Sequence, residues 1–181
     1  MNTPKLWSLL AVLAAQPALA QNLGDLGKQA FEAGKTEGAK ALKAEANKAV
    51  VKKVNATLLS EGRKNQCSFK TDSDELAPGC DAKVKRLSLA LIEAKKALVA
   101  GGYSGFKFVV SGHTDSAGSE DHNKELSEKR AAVMVKELVG KGVPADEIEA
   151  VGMGSSAPLV KPDDTPAKKA KNRRYEIQVK L

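Results

Sequence analysis

The stretch that decides the fold is SGHTDSAGSEDHNKELSEKRA, residues 111–131. The apolar run Phe106-Lys107-Phe108-Val109-Val110 stops at Gly112-His113-Thr114-Asp115, passes through a loop of small residues and enters a charged helix. The run reads as a buried strand. Ser119 is an N-cap residue, and Glu120 and Asp121 stand in the first turn, where acids suit the helix dipole. Asp115 therefore lies at the mouth of a strand. Asn123 and Arg130 lie nearly two full turns apart on the helix and share a face with Leu126. Met134 and Leu138 lie near the same face, so it packs on the sheet and brings Arg130, half-buried, toward the strand end where Asp115 emerges.

Three chemistries compete for this arrangement. A nucleophilic hydrolase would pair His113 with Asp115, but no G-x-S-x-G elbow is present and the parts of a triad are not assembled by any local pattern. A metal site would need His113 and His122 to converge with carboxylates, and no H-E-x-x-H or EF-hand spacing exists. A zwitterion pocket needs only two opposite charges held apart. Asp115 would accept from an ammonium, and the planar fork of Arg130 would grip a carboxylate. The alternative to that pocket is a plain Asp115–Arg130 salt bridge, which stabilises little when buried because desolvation offsets the attraction.

Working outward, residues 81–100 predict an amphipathic helix with Val84, Leu87, Leu91, Ala94 and Leu98 on one face, closed by Gly101-Gly102. Gln66–Phe69 predicts a short strand, and Ser73–Gly79 a turn-like segment. The second charged helix runs from Ser119 to about Val139. Ile148–Val151 predicts another strand, and Gly152–Lys171 a long loop with three prolines. In the last residues Tyr175, Ile177 and Val179 alternate with Glu176, Gln178 and Lys180, a strand with one buried face. Strand, helix, strand, helix, strand, strand is an α+β order: a mixed sheet with two main helices on one face.

Upstream the texture changes. Lys5, the apolar Leu6–Ala15 and Ala18-Leu19-Ala20 predict a signal peptide over 1–20, cleaved after Ala20. Residues 21–63 form an Ala- and Lys-rich extension or linker and 64–181 the domain. In the extension Leu42, Ala46, Ala49, Val50, Val54 and Leu58 mark an apolar stripe, with Gly62 a plausible stop. Gly24, Gly27, Gly34 and Gly38 weaken its first half, each by about 1 kcal/mol against Ala in a helix interior. The chain carries 29 Lys and Arg against 22 Asp and Glu. Export to the periplasm removes nucleic acid as a partner and leaves acidic envelope polymers within reach. Cys67 and Cys80 are the only cysteines, and in an oxidising compartment their default is a disulfide.

The residues Gly112-His113-Thr114-Asp115, Gly118, Asn123, Leu126-Ser127 and Arg130-Ala131 resemble the OmpA-like peptidoglycan-binding domain. So do Gly142-Val143-Pro144, Gly152-Met153-Gly154, Pro158 and Asn172-Arg173-Arg174-Tyr175-Glu176-Ile177. The likeness covers about residues 65–181. It implies a non-enzymatic domain, without cofactor or metal, that binds peptidoglycan and anchors or tethers a partner to the cell wall. In the family the Asp and the Arg hold the diaminopimelate of the stem peptide. Those roles carry over to Asp115 and Arg130, with Thr114, Asn123, Leu126 and Arg173 as supporting pocket positions. Arg173 shares the strand parity of Tyr175 and so should face inward, with Arg174 pointing away. His122 stands where the family usually has an aromatic residue, and Met134 and Tyr175 where it usually has Val. The resemblance implies a periplasmic, wall-associated protein of the outer envelope, with an envelope protein or a second copy as a further partner through residues 22–60. The alternative is an assembly protein that uses the fold as a docking surface without binding peptidoglycan.

Overall fold

The computed structural model describes residues 37–70 and 72–181, with side chains from residue 45 onward. The expected signal peptide and the glycine-spaced start of the extension lie outside the described residues, as does the side chain of Leu42. Helix α1 spans Glu37–Lys64 and α2 Asp81–Ala100. They are followed by β1 (Lys107–His113), α3 (Glu120–Gly140), a single 3-10 turn (Ala145–Glu147), β2 (Ile148–Gly152), α4 (Pro166–Asn172) and β3 (Arg174–Lys180). The chain divides into two compact units. The larger is Val51–Ile92 with Gly105–Leu181, and the smaller is Glu93–Ser104 with the described part of Met1–Val50.

In the larger unit three strands form a mixed sheet in the order β2-β1-β3, parallel between β1 and β2 and antiparallel between β1 and β3. The α+β class and the helix-covered sheet are as the sequence indicates. Phe108, Val110 and Gly112 lie opposite Val179, Ile177 and Tyr175, so these residues share one face of the pleat. All six are buried. Helix α3 covers that face at unusually close range. A Cβ on Gly112 would stand 2.2 Å from the Ser127 carbonyl oxygen, and one on Gly152 2.7 Å from the Lys124 carbonyl oxygen. Only glycine permits this approach of backbone to backbone. Ser127 seals it: its hydroxyl donates to the Lys124 carbonyl at 2.8 Å and accepts from the Gly154 N–H at 2.8 Å. The ends of β1 and β2 are thus fixed against the second turn of α3, and Asn123, Leu126 and Arg130 project beside the strand mouth.

One predicted element is corrected. Gln66–Phe69 does not form a strand; only Phe69 pairs, in a single bridge with Leu76. The reason lies in what satisfies the open edge of β3. The Gln66 carboxamide donates to the Tyr175 carbonyl at 2.8 Å and accepts from the Tyr175 N–H at 3.2 Å, taking the place that a strand backbone would hold. The Tyr175 hydroxyl accepts from the Cys67 N–H at 3.2 Å. About three turns earlier, in α1, Asn55 does the same at Val179, accepting its N–H at 2.6 Å and donating to its carbonyl at 3.3 Å. Two side-chain amides therefore close an edge that would otherwise offer itself for pairing.

Helix α1 continues past the expected stop at Gly62 to Lys64. Its stripe residues Val54 and Leu58 are buried in the larger unit, and Val84, Leu87 and Leu91 of α2 are buried there as well. In the smaller unit Val50, Ala97, Leu98 and Tyr103 are buried. There the Tyr103 hydroxyl donates to Asn47 at 2.8 Å. The loop expected over 152–171 contains α4, begun by Thr165, whose hydroxyl accepts from the Lys168 N–H.

Candidate functional site

The mouth of β1, the start of α3, the segment from Arg63 to Asp72 and the end of α4 enclose a cleft of about 890 Å³. Every sequence-predicted binding residue lines it: Thr114, Asp115, Asn123, Leu126, Arg130 and Arg173. The helix is started by Ser119, in extended conformation, whose hydroxyl accepts from the His122 N–H at 3.3 Å. Asn123 is buried and ties the loop to the helix by donating to the Ala117 carbonyl at 2.8 Å. Asp115 turns the loop from within, one carboxylate oxygen accepting the Ala117 N–H at 3.0 Å.

Asp115 and Arg130 do not bond to each other. The second oxygen of Asp115 receives Arg173 at 2.6 Å. Arg130, only 8% exposed, donates from Nε to the Ser73 carbonyl at 2.9 Å and from one terminal nitrogen to the Lys70 carbonyl at 3.3 Å. Its guanidinium also lies over the Phe69 ring, 5.1 Å from the centroid. Burial first, and then the charge of Arg173, draw the guanidinium pKa below its usual value, while Asp72, Asp115 and Asp74 oppose this. The guanidinium still stays charged. The cleft thus holds a carboxylate and a guanidinium, each fixed by its own partners.

Arg173 corrects an expectation. It is exposed and faces Asp115, whereas its neighbour Arg174 is packed, its side chain 9% exposed. The cause is α4, which ends at Asn172 and makes Arg173 its C-cap residue, so the strand alternation starts only at Arg174. Arg174 binds Glu176 at 2.8 Å and the carbonyls of Asn172 and Ala157.

Thr114 is buried, donates its N–H to the Gly154 carbonyl at 2.9 Å, and has a hydroxyl with no hydrogen-bond partner. His113, 5% exposed and opposite Arg174 in the sheet, has no partner at either ring nitrogen. Burial, then the charge of Arg174, push its pKa down to about 4, so it is neutral at pH 7. It forms no bond with Asp115, and the geometry of a catalytic dyad is missing. Among the described residues no group of His, Cys, Asp and Glu could hold a metal ion. His122 is exposed and pairs with Asp72 at 2.7 Å across the mouth of the cleft.

A clamp that the sequence reading missed secures the loop from behind. Asp163 accepts the Ser116 N–H at 2.9 Å and the Ser116 hydroxyl, and also the Asn172 amide at 3.0 Å. These bonds hold its carboxyl down at about 2, the Ser116 hydroxyl contributing most. Asn172 in turn accepts from the Leu159 and Val160 N–H groups. The signal was present in the motif Asn172-Arg173-Arg174, but its partner Asp163 lies in a proline-rich loop with no pattern of its own. A second cleft, of about 920 Å³, opens on the far side of Thr114. Of its carboxylates, Asp163 is taken by this clamp and Asp164 pairs with Lys168.

Cys67 and Cys80 are free, buried thiols, with the Cys67 sulfur 3.8 Å from the Cys80 carbonyl oxygen. Burial pushes the Cys67 thiol up to about 12.

The chain resembles several known proteins. The chain is 48% identical over 80 residues to outer membrane protein A of Klebsiella pneumoniae, a match covering 40% of this chain and 23% of that protein. It is 44% identical over 73 residues to the peptidoglycan-binding protein ArfA of Mycobacterium tuberculosis, covering 40% of this chain and 22% of that one. The matched stretch is thus less than a quarter of the length of these relatives. Among solved structures, the peptidoglycan-associated lipoprotein of Burkholderia pseudomallei superposes with a TM-score of 0.52 at 23% identity, over 64% of this chain and 89% of that one. The periplasmic domain of Helicobacter pylori MotB does so with a TM-score of 0.52 at 22% identity, over 62% and 67%. At those identities the likeness concerns the fold. The OmpA family pattern itself matches residues 68–173, more than half of the chain, and the protein belongs to the OmpA family.

Proposed function

We propose that this protein binds peptidoglycan non-covalently, through the amino-carboxylate head of a diaminopimelate in the stem peptide, and so tethers itself and a partner to the wall. The observation that carries the reading is the separation of Asp115 and Arg130 in one cleft, opposite in charge and unbonded to each other. An ammonium placed against Asp115 competes with Arg173, whose side chain is exposed. A carboxylate placed against Arg130 meets a fork already oriented by two carbonyls and a ring, so little side-chain entropy is lost on binding. Leu126 supplies apolar surface beside the two charges, and Thr114 a hydroxyl with an unused bond. Membership of the OmpA family and the peptidoglycan-binding ArfA relative support the same ligand.

Export to the periplasm, with cleavage after Ala20, belongs to this reading. No described helix is long and apolar enough to cross a membrane. Oxidation of Cys67 and Cys80 to a disulfide in the exported protein is part of it too, and a thiol assay on periplasmic material is expected to find no free cysteine. Two free thiols in that assay would remove the bridge from the proposal.

The test is co-sedimentation with purified sacculi. Asp115→Ala and Arg130→Ala should each lose most binding, at a cost of about 2–5 kcal/mol for an unpaired charge, while circular dichroism stays unchanged. Wild-type pelleting by both folded variants would leave the domain as a docking surface for other proteins.

A further inference from the structure

The charges of the cleft do not balance. Arg63, Lys70, Arg130, Lys171, Arg173 and Arg174 line it, six cations against the two carboxylates Asp72 and Asp115. Lys70 is paired with Glu75, Arg173 with Asp115 and Arg174 with Glu176. Arg130 is bonded to carbonyls, and Asp72 is taken by His122. Two cations remain without a bonded partner among the described residues: Arg63, in the last turn of α1, and Lys171, in the last turn of α4. Both are exposed side chains on the wall of the cleft. A zwitterion brings no net charge, so it leaves this excess untouched. The volume is also several times what an amino-acid head group fills, and the buried His113, with no partner at either nitrogen, lines the same space.

We propose that the cleft takes a peptide end carrying a second carboxylate beyond the zwitterion, and that Arg63 and Lys171 receive it. The inference rests on the proposed function above and narrows its ligand to stem peptides whose carboxylates are free rather than amidated. It also gives α1 a part in binding. Arg63 precedes the stretch that matches the family pattern, residues 68–173, whereas Lys171 lies within it, so the Arg63 half of the subsite is not carried by the motif. Each exposed ion pair contributes modestly and is screened by salt. Its value here is selection among peptides more than raw affinity.

The experiment is calorimetric titration of the mature chain with two synthetic probes. One is the tripeptide L-alanyl-γ-D-glutamyl-meso-diaminopimelate. The other is the same tripeptide with the glutamyl α-carboxylate and the diaminopimelate carboxylate nearest the peptide bond both amidated, leaving the distal zwitterion intact. The free peptide should bind about tenfold more tightly at low salt, from two exposed pairs of about three- to fourfold each, and the advantage should shrink at high salt. Arg63→Ala and Lys171→Ala should each reduce the advantage and the double variant should abolish it, with affinity for the amidated peptide unchanged; Arg63→Lys should restore most of it. Equal affinity of the wild type for both peptides, with Asp115→Ala abolishing both, overturns this inference and leaves the proposed function standing. Binding of neither peptide overturns both. An advantage that survives the double variant means that other groups read the second carboxylate, and overturns the assignment to Arg63 and Lys171.

Discussion

On the β1–α3 side of the cleft, backbone lies directly on backbone: Gly112 and Gly152 admit α3, and Ser127 locks it to Gly154. On the opposite side, between Arg63 and Asp72, the described residues have no sheet pairing beyond one bridge and are held by side chains, chiefly Gln66 on Tyr175 and Arg130 on Ser73 and Lys70. The first wall carries the family motif and tolerates almost no change of volume. The second carries Arg63, His122's partner Asp72 and the Cys67 thiol, and it is held by side chains rather than by backbone pairing.

The sharpest way to break the comparison is Gly112→Ala. A Cβ so close to the Ser127 carbonyl forces α3 away from β1, at a cost of about 3 kcal/mol or more, seen as a lower denaturant midpoint together with loss of sacculus binding. Near-native stability would show that the close approach is not rigid.

A pH series comes next in size. His113 titrates at about 4 in the fold against an ordinary 6.5. Between those values the unfolded chain binds a proton that the folded chain refuses, so stability falls as pH drops from 6.5 toward 4 and this contribution is constant below and above that window. The loss is at most about 3 kcal/mol. Arg174 and Glu176 face this imidazole with opposite effects, and Arg174 outweighs Glu176. His113→Asn should flatten the slope in denaturant unfolding at pH 7, 5.5 and 4; an unchanged slope would place the pH dependence elsewhere. Asp163 acts lower. Its carboxyl is held at about 2, so its stabilisation is full above the ordinary carboxylate range and disappears as pH falls toward 2.

The smallest effect tests the second wall. Gly62 lies in α1 just before Arg63, and a Cβ added there meets nothing within 4 Å. Gly62→Ala should therefore stabilise by about 0.5–1 kcal/mol, the gain expected in a helix interior, with sacculus binding unchanged. A destabilised Gly62→Ala would mean that this wall is as tightly built as the other.

Much of this was legible in the residues themselves. Helix α2, the N-cap at Ser119, the strands flanking α3 and the alternating burial of Tyr175, Ile177 and Val179 follow from periodicity and capping, which are local properties. The common face of Asn123, Leu126 and Arg130 was legible for the same reason, since helical spacing fixes it, and Asp115 was legible as the residue at the end of the strand before them. What the sequence could not decide was which partners satisfy which groups. Gln66 reads as a strand residue, yet its side chain replaces the strand. Arg173 reads as inward-facing, yet α4 ends one residue before it and takes it out of the strand alternation. Asp163 has no local signature, yet it clamps the loop after β1 across 47 residues of chain. Periodicity states which face of an element is buried, and sequence alone determined that much here. The pairing of buried donors and acceptors is settled only when distant segments meet, because each polar group removed from water must find its partner in three dimensions.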